Sequence, residues 1–342
     1  FCWTGDREFL KAVYPLCKEA LLDYVVAQWD ADLDFFPDGQ SMIERRGADE
    51  ENVDSVCYFT RALYCLAEMA KALGEHDDAS LYRDRYADVL RKALNEDFWI
   101  RDASIFADSL RADHTPRQDG YWTVVVPLET ELAEAGKAEA TLKTITEQEG
   151  WLQKEDGRIV GLVHTRYREP TVWTLPTGIL ARVAFAMGHT ELGLQLLRSI
   201  ALAALSPGEY GTLGAFGELI PPKALCFIQL WSPAIFLQGI VEGLFGLHPC
   251  AHQDRVEVFP HPPSEWTFAR LERVPVGDRE LTVEWRREEG DVVRIAQHRG
   301  SRLNYVLRWW SKVPVRWPPK VSAAVAAEQK EVEHGWLIKL EF

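Results

Sequence analysis

Along most of the chain, apolar positions return at alternating intervals of three and four, the spacing of one helix face. Phe9, Val13, Leu16, Ala20 and Tyr24 form one such stripe. Val53, Val56, Thr60, Leu63, Ala67 and Ala70 form a second, and Tyr82, Tyr86, Val89 and Ala93 a third. Carried along the chain, the pattern predicts helices over about 7–28, 53–73, 77–94, 120–135, 137–148, 172–187, 190–204 and 232–246. Asn52 is placed to cap the second helix and Gly74 to stop it. In the last, Leu230, Ala234, Leu237, Val241 and Leu244 share a face. Ser232 is expected to cap this helix, Pro233 suits its first turn, and Gly246 and Pro249 end it. Short links make antiparallel hairpins. They alternate with long links at 29–52, 95–119, 149–171 and 205–231, so the hairpins are expected to present long loops toward one end.

From about residue 251 the period shortens to two. Arg255–Phe259, Leu281–Trp285, Val292–Gln297, Leu303–Trp309 and Trp336–Leu340 read as strands. Turns such as Gly277-Asp278 and Glu289-Gly290-Asp291 separate them. The pattern therefore predicts a helical domain over 1–249 and a small antiparallel β-sandwich over 250–342.

Charge and composition narrow the partners. A net charge of −14 argues against nucleic acid and anionic membrane surfaces as partners, since both attract basic patches. Ala224 to Leu247 is long enough to span a bilayer. Its Gln229, Ser232, Pro233, Gln238 and Glu242 make it a buried helix instead. Thirteen tryptophans fit either a large aromatic core or a carbohydrate-lined cleft. The cysteines (Cys2, Cys17, Cys57, Cys65, Cys226 and Cys250) lack metal-type spacing. Cys57 and Cys65 share a helix about 12 Å apart, too far to bridge. With no Asn-x-Ser/Thr sequon, the expectation is reduced, buried thiols in a cytoplasmic protein. The chain opens on Phe1 rather than Met and is read as processed or a fragment.

Chemistry concentrates in the long links. The loop carrying Glu218 runs into the helix that opens with Gln229, Trp231 and Ser232. A carboxylate, an amide and an indole at one helix mouth suit a sugar, whose hydroxyls need donors and acceptors and whose C–H face packs on an aromatic. In the link 29–52, Asp30, Asp32 and Asp34 mimic the start of a calcium loop, but Phe35 and Ser41 occupy its glycine and bidentate-glutamate places, so no metal is assigned. Glu44 follows Met42 and Ile43. Desolvation there raises a carboxyl toward general-acid use, while pairing with Arg45 or Arg46 is the structural alternative. Trp122 and Trp173 stand beside polar loop residues as wall candidates, with core packing as their alternative. His114 and His164 carry no triad or ligand spacing and are read as structural. No phosphate loop, H-E-x-x-H or G-x-S-x-G occurs, so no cofactor is expected.

These residues resemble a known family. Gly217-Glu218-Leu219 leading to Gln229-Leu230-Trp231-Ser232-Pro233-Ala234 is similar to the P-E-[LI] … Q-A-W-S-x-A of the six-hairpin glycosidases, in their glycogen-debranching, amylo-α-1,6-glucosidase-like branch. Phe36-Pro37-Asp38-Gly39 through Met42-Ile43-Glu44, then Tyr58 to Gly74, resembles that branch's acid segment, and Pro170 to Trp173 its G-x-V-W-P wall. The sequence departs from the pattern at Gly217 and Thr174, where the branch has prolines, and its acid segment is a loose match. The resemblance implies a mainly α fold, an incomplete (α/α)6 toroid of antiparallel helical hairpins, followed by the β-sandwich. The family ring has twelve helices and the pattern shows eight, and Trp3-Thr4-Gly5-Asp6 looks like a mid-barrel segment, so N-terminal truncation is expected. It also implies an inverting glycoside hydrolase acting on α-glucosidic or related linkages in an oligo- or polysaccharide. Glu44 would be the general acid and Glu218 the base, with Trp122, Trp173, Gln229 and Trp231 binding sugar. A phosphorylase on the same toroid would need an anion pocket, and the Glu218 loop offers Lys223 alone. A non-catalytic carbohydrate-binding remnant is the other alternative. An epimerase, which would want paired histidines, ranks behind both.

Overall fold

The computed structural model describes residues 1–25, 36–39, 41–43, 51–164, 171–205, 213–220, 229–287, 291–311, 326–332 and 335–341. Helix α1 (Arg7–Lys18) begins where the Asp6 carboxylate accepts the Phe9 N–H at 2.9 Å, and it runs on as a π-helical turn over Glu19–Val25. Helix α2 (Val53–Leu73) closes at Gly74, whose φ of 92° suits a residue without a side chain. Asn52 holds the cap position without capping; its amide instead donates to the Gly39 carbonyl at 2.6 Å. The helix expected over 77–94 consists of α3 (His76–Ser80), a π turn over Leu81–Ala87, and α4 (Asp88–Asp97).

The expectation of a helix over 120–135 does not hold. A 3-10 turn (Trp122–Val125) leads into the four-residue α5 (Val126–Glu129), and the backbone turns left-handed at Glu131, φ 58°. Helices α6 (Ala135–Glu147), α7 (Thr174–Ala186), α8 (Thr190–Leu205) and α9 (Trp231–Gln238) follow. Helix α9 continues as a π turn over Gly239–Leu244. Just beyond, a Cβ on Gly246 would stand 1.9 Å from the Phe259 carbonyl oxygen, so only glycine fits.

Helices α7 and α9 run side by side, start to start. Thr174 meets Ser232 at their first turns, Gly178 lies against Ile235 one turn on, and Phe185 lies against Gly243 further down. Glycines at these crossings let the backbones approach. Helix α2 packs on α5 and α5 on α7, so four helices form one wall. Across it, Tyr58 donates to Glu129 at 2.8 Å, and Arg182 reaches Glu129 at 3.4 Å and Glu242 at 3.7 Å.

The chain is mixed rather than mainly α, because the long links build sheets of their own. Strand β1 (Glu51–Asn52) joins β4 (Ser109–Leu110) and β5 (Pro116–Arg117), while β2 (Trp99–Ile100) pairs with β3 (Ile105–Phe106). Strands β6 (Leu152–Glu155), β7 (Arg158–His164) and β8 (Thr171–Val172) form a third antiparallel sheet. Strands this short carry too few residues to show an alternating pattern.

In the C-terminal part every expected strand appears, within one or two residues. They join β9 (Leu247–Cys250), β11 (Phe268–Val276) and β15 (Ala326–Val332), which the period-two reading missed. The larger sheet has the order β15-β16-β14-β10-β9, where β10 is Arg255–Val258, β14 Asn304–Ser311 and β16 Gly335–Glu341. The smaller has the order β11-β12-β13, where β12 is Arg279–Arg287 and β13 Asp291–Arg299. Pairing is antiparallel except between β10 and β14, which run parallel, a departure from the expected antiparallel sandwich. One buried cluster crosses from helices to sheets, taking in Leu63, Phe98, Val125, Leu180, Phe185, Leu247, Val256 and Val283. Each such side chain contributes about 1.5–3 kcal/mol relative to exposure.

Candidate functional site

The loops entering α2, α5, α7 and α9 carry the candidate residues. At the α7–α9 end, Trp173 pairs with Leu219 in an isolated antiparallel bridge, and the Ile220 N–H donates to the Val172 carbonyl at 2.9 Å. The first N–H of α7, on Thr174, would otherwise lack a helical partner. It donates to the Glu218 carbonyl at 3.0 Å. The Thr174 hydroxyl lies 3.1 Å from the Gly217 carbonyl and 2.5 Å from the Ser232 hydroxyl, which donates to that same carbonyl at 2.9 Å. Both hydroxyl residues are fully buried. Ser232 therefore does not cap α9, as its position in sequence suggested; it holds the Glu218 loop. The Gln229 N–H donates to the Phe216 carbonyl at 2.9 Å, and the Phe216 and Phe236 rings lie 5.3 Å apart.

The fold thus brings Trp173, Glu218, Gln229 and Trp231 together at the mouths of two parallel helices. Glu218 is 8% exposed, Trp173 and Gln229 are half-buried, and Trp231 is 37% exposed. The Trp173 indole N–H donates to the Thr171 hydroxyl at 2.9 Å. Among the described residues, a cleft of about 540 Å³ is lined by Arg158, Gln195 and Arg198 and meets this loop at Ile220.

At the α2–α5 end the organising groups are carboxylates that the spacing analysis did not single out. Asp54, in the first turn of α2, accepts the Met42 N–H at 2.7 Å and the Ser41 hydroxyl at 3.0 Å. It thereby grips the stretch that leads to Glu44, although Glu44 itself lies outside the described residues. Burial raises the Asp54 carboxyl above its ordinary value, against those two donors. Asp108 accepts the N–H groups of Asp119 (2.5 Å), Gly120 (3.0 Å) and Tyr121 (3.0 Å), folding the loop into Trp122. Burial pushes its carboxyl up to about 7, and the three N–H donors pull the other way. Trp122 is 3% exposed and sits in the main core, which matches its core-packing alternative. Nothing in residue spacing marks Asp54 or Asp108. Their one sequence signal is an aspartate between an apolar residue and a serine, Val53-Asp54-Ser55 and Ala107-Asp108-Ser109, at a helix start or strand end.

Among the described residues no group of three or more His, Cys, Asp or Glu is placed to hold a metal, and no helix is long and apolar enough to cross a membrane. His114 lies 3.7 Å from the buried Glu51. Of the described cysteines only Cys57 is buried, whereas Cys2 and Cys65 are exposed, so the expectation of buried thiols fails for most of them. Cys226 and Lys223 lie outside the described residues.

Residues 1–199 match the family described as bacterial alpha-L-rhamnosidase 6 hairpin glycosidase domain. No curated protein matches the chain at a significant level. Among solved structures the chain is similar to a sialidase, with TM-score 0.68 and 16% identity over 86% of this chain and 30% of that one. It is similar to the GH78 family rhamnosidase of Bacillus sp. GL1, with TM-score 0.64 and 16% identity over 90% and 31%. It is also similar to the α-L-rhamnosidase from Dictyoglumus thermophilum, with TM-score 0.61 and 17% identity over 99% and 37%. At such identities the likeness speaks for the fold alone. The chain spans about a third of the length of these structures. The six-hairpin resemblance thus stands; the branch shown is the rhamnosidase one, by a match that ends before the Glu218 motif, and the glycogen-debranching branch is not shown.

Proposed function

Because the chain belongs to the bacterial α-L-rhamnosidase six-hairpin glycosidase family, we propose that it supplies inverting glycoside hydrolase chemistry to an α-linked deoxyhexose, an α-L-rhamnoside. The observation that carries this reading is the clamping of Glu218, almost wholly buried, between the starts of α7 and α9 and beside two tryptophans. A general base must be held within reach of one water, and a rigid loop does that. The positive ends of two helices nearby favour a negative charge there. Glu218 takes the proton of the attacking water, and Glu44 protonates the departing glycosidic oxygen from the opposite face. Inversion needs room for that water, which sets the two carboxyls roughly 6.5–9.5 Å apart. Trp173 and Trp231 pack the apolar face of the sugar, and Gln229 bonds a hydroxyl.

The test is hydrolysis of an aryl α-L-rhamnoside and an aryl α-glucoside, with the first-formed anomer read by proton NMR. We expect turnover of the rhamnoside with inverted configuration, and a loss of roughly 10³-fold in kcat at little changed KM for Glu218→Gln. Retained configuration, or a Glu218→Gln variant as active as the parent, overturns the assignment. Preference for the α-glucoside would restore the debranching-type substrate, and phosphate-dependent turnover would favour the phosphorylase. Because the chain spans about a third of its structural relatives, a carbohydrate-binding portion is the second reading. Oligosaccharide binding without turnover would select it.

A further inference from the structure

The segment entering α1 is strapped onto the turn that follows β9. The Cys2 carbonyl accepts the Ala251 N–H at 2.8 Å, and the Trp3 carbonyl accepts the Gly277 N–H at 2.7 Å. The Phe1 ring lies over the His252 imidazole with centroids 4.4 Å apart. Gly5, at φ 65°, approaches so closely that a Cβ would meet the Ala251 backbone at 3.3 Å. This strap sets two thiols side by side. The Ala251–Cys2 backbone bond makes Cys2 a neighbour of Cys250, and each thiol acts on the other's titration, with Cys2 exposed and Cys250 half-buried.

We propose that Cys2 and Cys250 are a dithiol modification site, at which a low-molecular-weight disulfide oxidises the pair and staples the entrance of α1 to β9. In the first step the Cys2 thiolate attacks one sulfur of the disulfide RSSR, forming a mixed disulfide and expelling RS⁻. Cys250 then gives up its proton and attacks the Cys2 sulfur, expelling the second RS⁻. The protein loses two protons and two electrons, and RSSR becomes two RSH. The pair is poised for this order of events. The Cys250 S–H brings the Cys2 thiol down to about 6, while the Cys250 proton is held more tightly than usual. The thiolate is the nucleophile in both steps: Cys2 attacks first, and once it is held in the mixed disulfide it no longer retains the Cys250 proton, so Cys250 deprotonates and resolves the adduct. The strap is what makes the site: the two cysteines are 248 positions apart in sequence, and the contacts of Phe1 to Gly5 with Ala251, His252 and Gly277 bring them together.

Oxidised glutathione is the probe, applied to the intact chain at pH 7. We expect the loss of two reactive thiols and a Cys2–Cys250 linked peptide by mass spectrometry. A rise of about 5 °C in melting temperature, reversed by dithiothreitol, should accompany them. Cys2→Ser and Cys250→Ser should each abolish the linked peptide and the temperature shift, whereas Cys65→Ser should leave both intact. Cys65, exposed on α2, is close enough to feel the charge of Cys2, and it is the competing partner. A Cys2–Cys65 link, or a glutathione adduct on Cys2 that Cys250 never resolves, overturns the proposal. As a measurement independent of oxidation, Cys2 should be alkylated by iodoacetamide roughly tenfold faster than Cys65, and Cys250→Ser should remove that advantage. An unchanged Cys2 rate in Cys250→Ser also overturns it.

Discussion

At the Glu218 loop the fold meets backbone carbonyls with hydroxyls; at the stretch over 41–43 it meets a backbone N–H and a hydroxyl with a carboxylate. Thr174 and Ser232 donate or lie close to the Gly217 and Glu218 carbonyls, whereas Asp54 accepts from Met42 and Ser41. Both loops enter helices of one wall, and each leaves polar backbone that burial would otherwise strand. The direction in which the loop's peptide groups point decides which side chain is needed. The consequence is a difference in titration. The hydroxyl clamp carries no charge between pH 4 and 8, while Asp54 and the neighbouring Asp108 are acids displaced by burial.

The largest expected effect exploits that difference. Asp108 keeps its proton in the fold up to about pH 7, while in the unfolded chain an aspartate ionises near its ordinary 3.8. Its contribution is complete below about pH 4 and is lost as pH rises toward 7, by up to about 4 kcal/mol. Asp54 acts in the same direction. Urea unfolding across pH 4 to 8 should show this fall, and Asp108→Asn should flatten it. A slope that survives in Asp108→Asn would mean another group titrates.

Next in size is Asp54→Ala, which leaves the Met42 N–H and the Ser41 hydroxyl without their acceptor. It should cost about 2–3 kcal/mol in urea melts. It should also lower kcat through the stretch that precedes Glu44, while Asp54→Asn, which keeps one acceptor oxygen, recovers part of both. Thr174→Val and Ser232→Ala should each cost roughly 1–2 kcal/mol. The two hydroxyls touch at 2.5 Å, so the double variant should cost less than the sum. Additive costs would show that the clamp does not act as a unit. Smallest in stability is Trp231→Ala. With 37% of its surface exposed it should cost less than about 1 kcal/mol, yet raise KM for an oligosaccharide roughly tenfold. Calorimetry and steady-state kinetics separate the two.

Helices long enough to repeat their stripe were legible in the residues. Helix α2 runs from Val53 to Leu73 as expected, and α7, α8 and the Arg255–Val258 strand fall within one or two residues of their predicted spans. A stripe of period 3.6 is written by every turn of such a helix, so errors average out. What it cannot mark is where the backbone loosens to π geometry, at Glu19–Val25, Leu81–Ala87 and Gly239–Leu244, since the same residues serve both. The two-residue strands inside the long links were equally invisible.

For the candidate site, sequence alone placed Glu218, Gln229 and Trp231 at one helix mouth, because they are close along the chain. That Trp173, more than forty positions earlier, joins them was decided by the Trp173–Leu219 bridge and the Thr174 contacts. The chain order likewise dictated a helical part followed by strands, through its change of period. Only the tertiary structure could turn Ser232 from a helix cap into a loop clamp and give Asp54 and Asp108 their burial. It alone set Cys2 against Cys250. Periodicity is a local property of the polymer, whereas burial and hydrogen-bond partnership are set by whichever distant segment packs alongside.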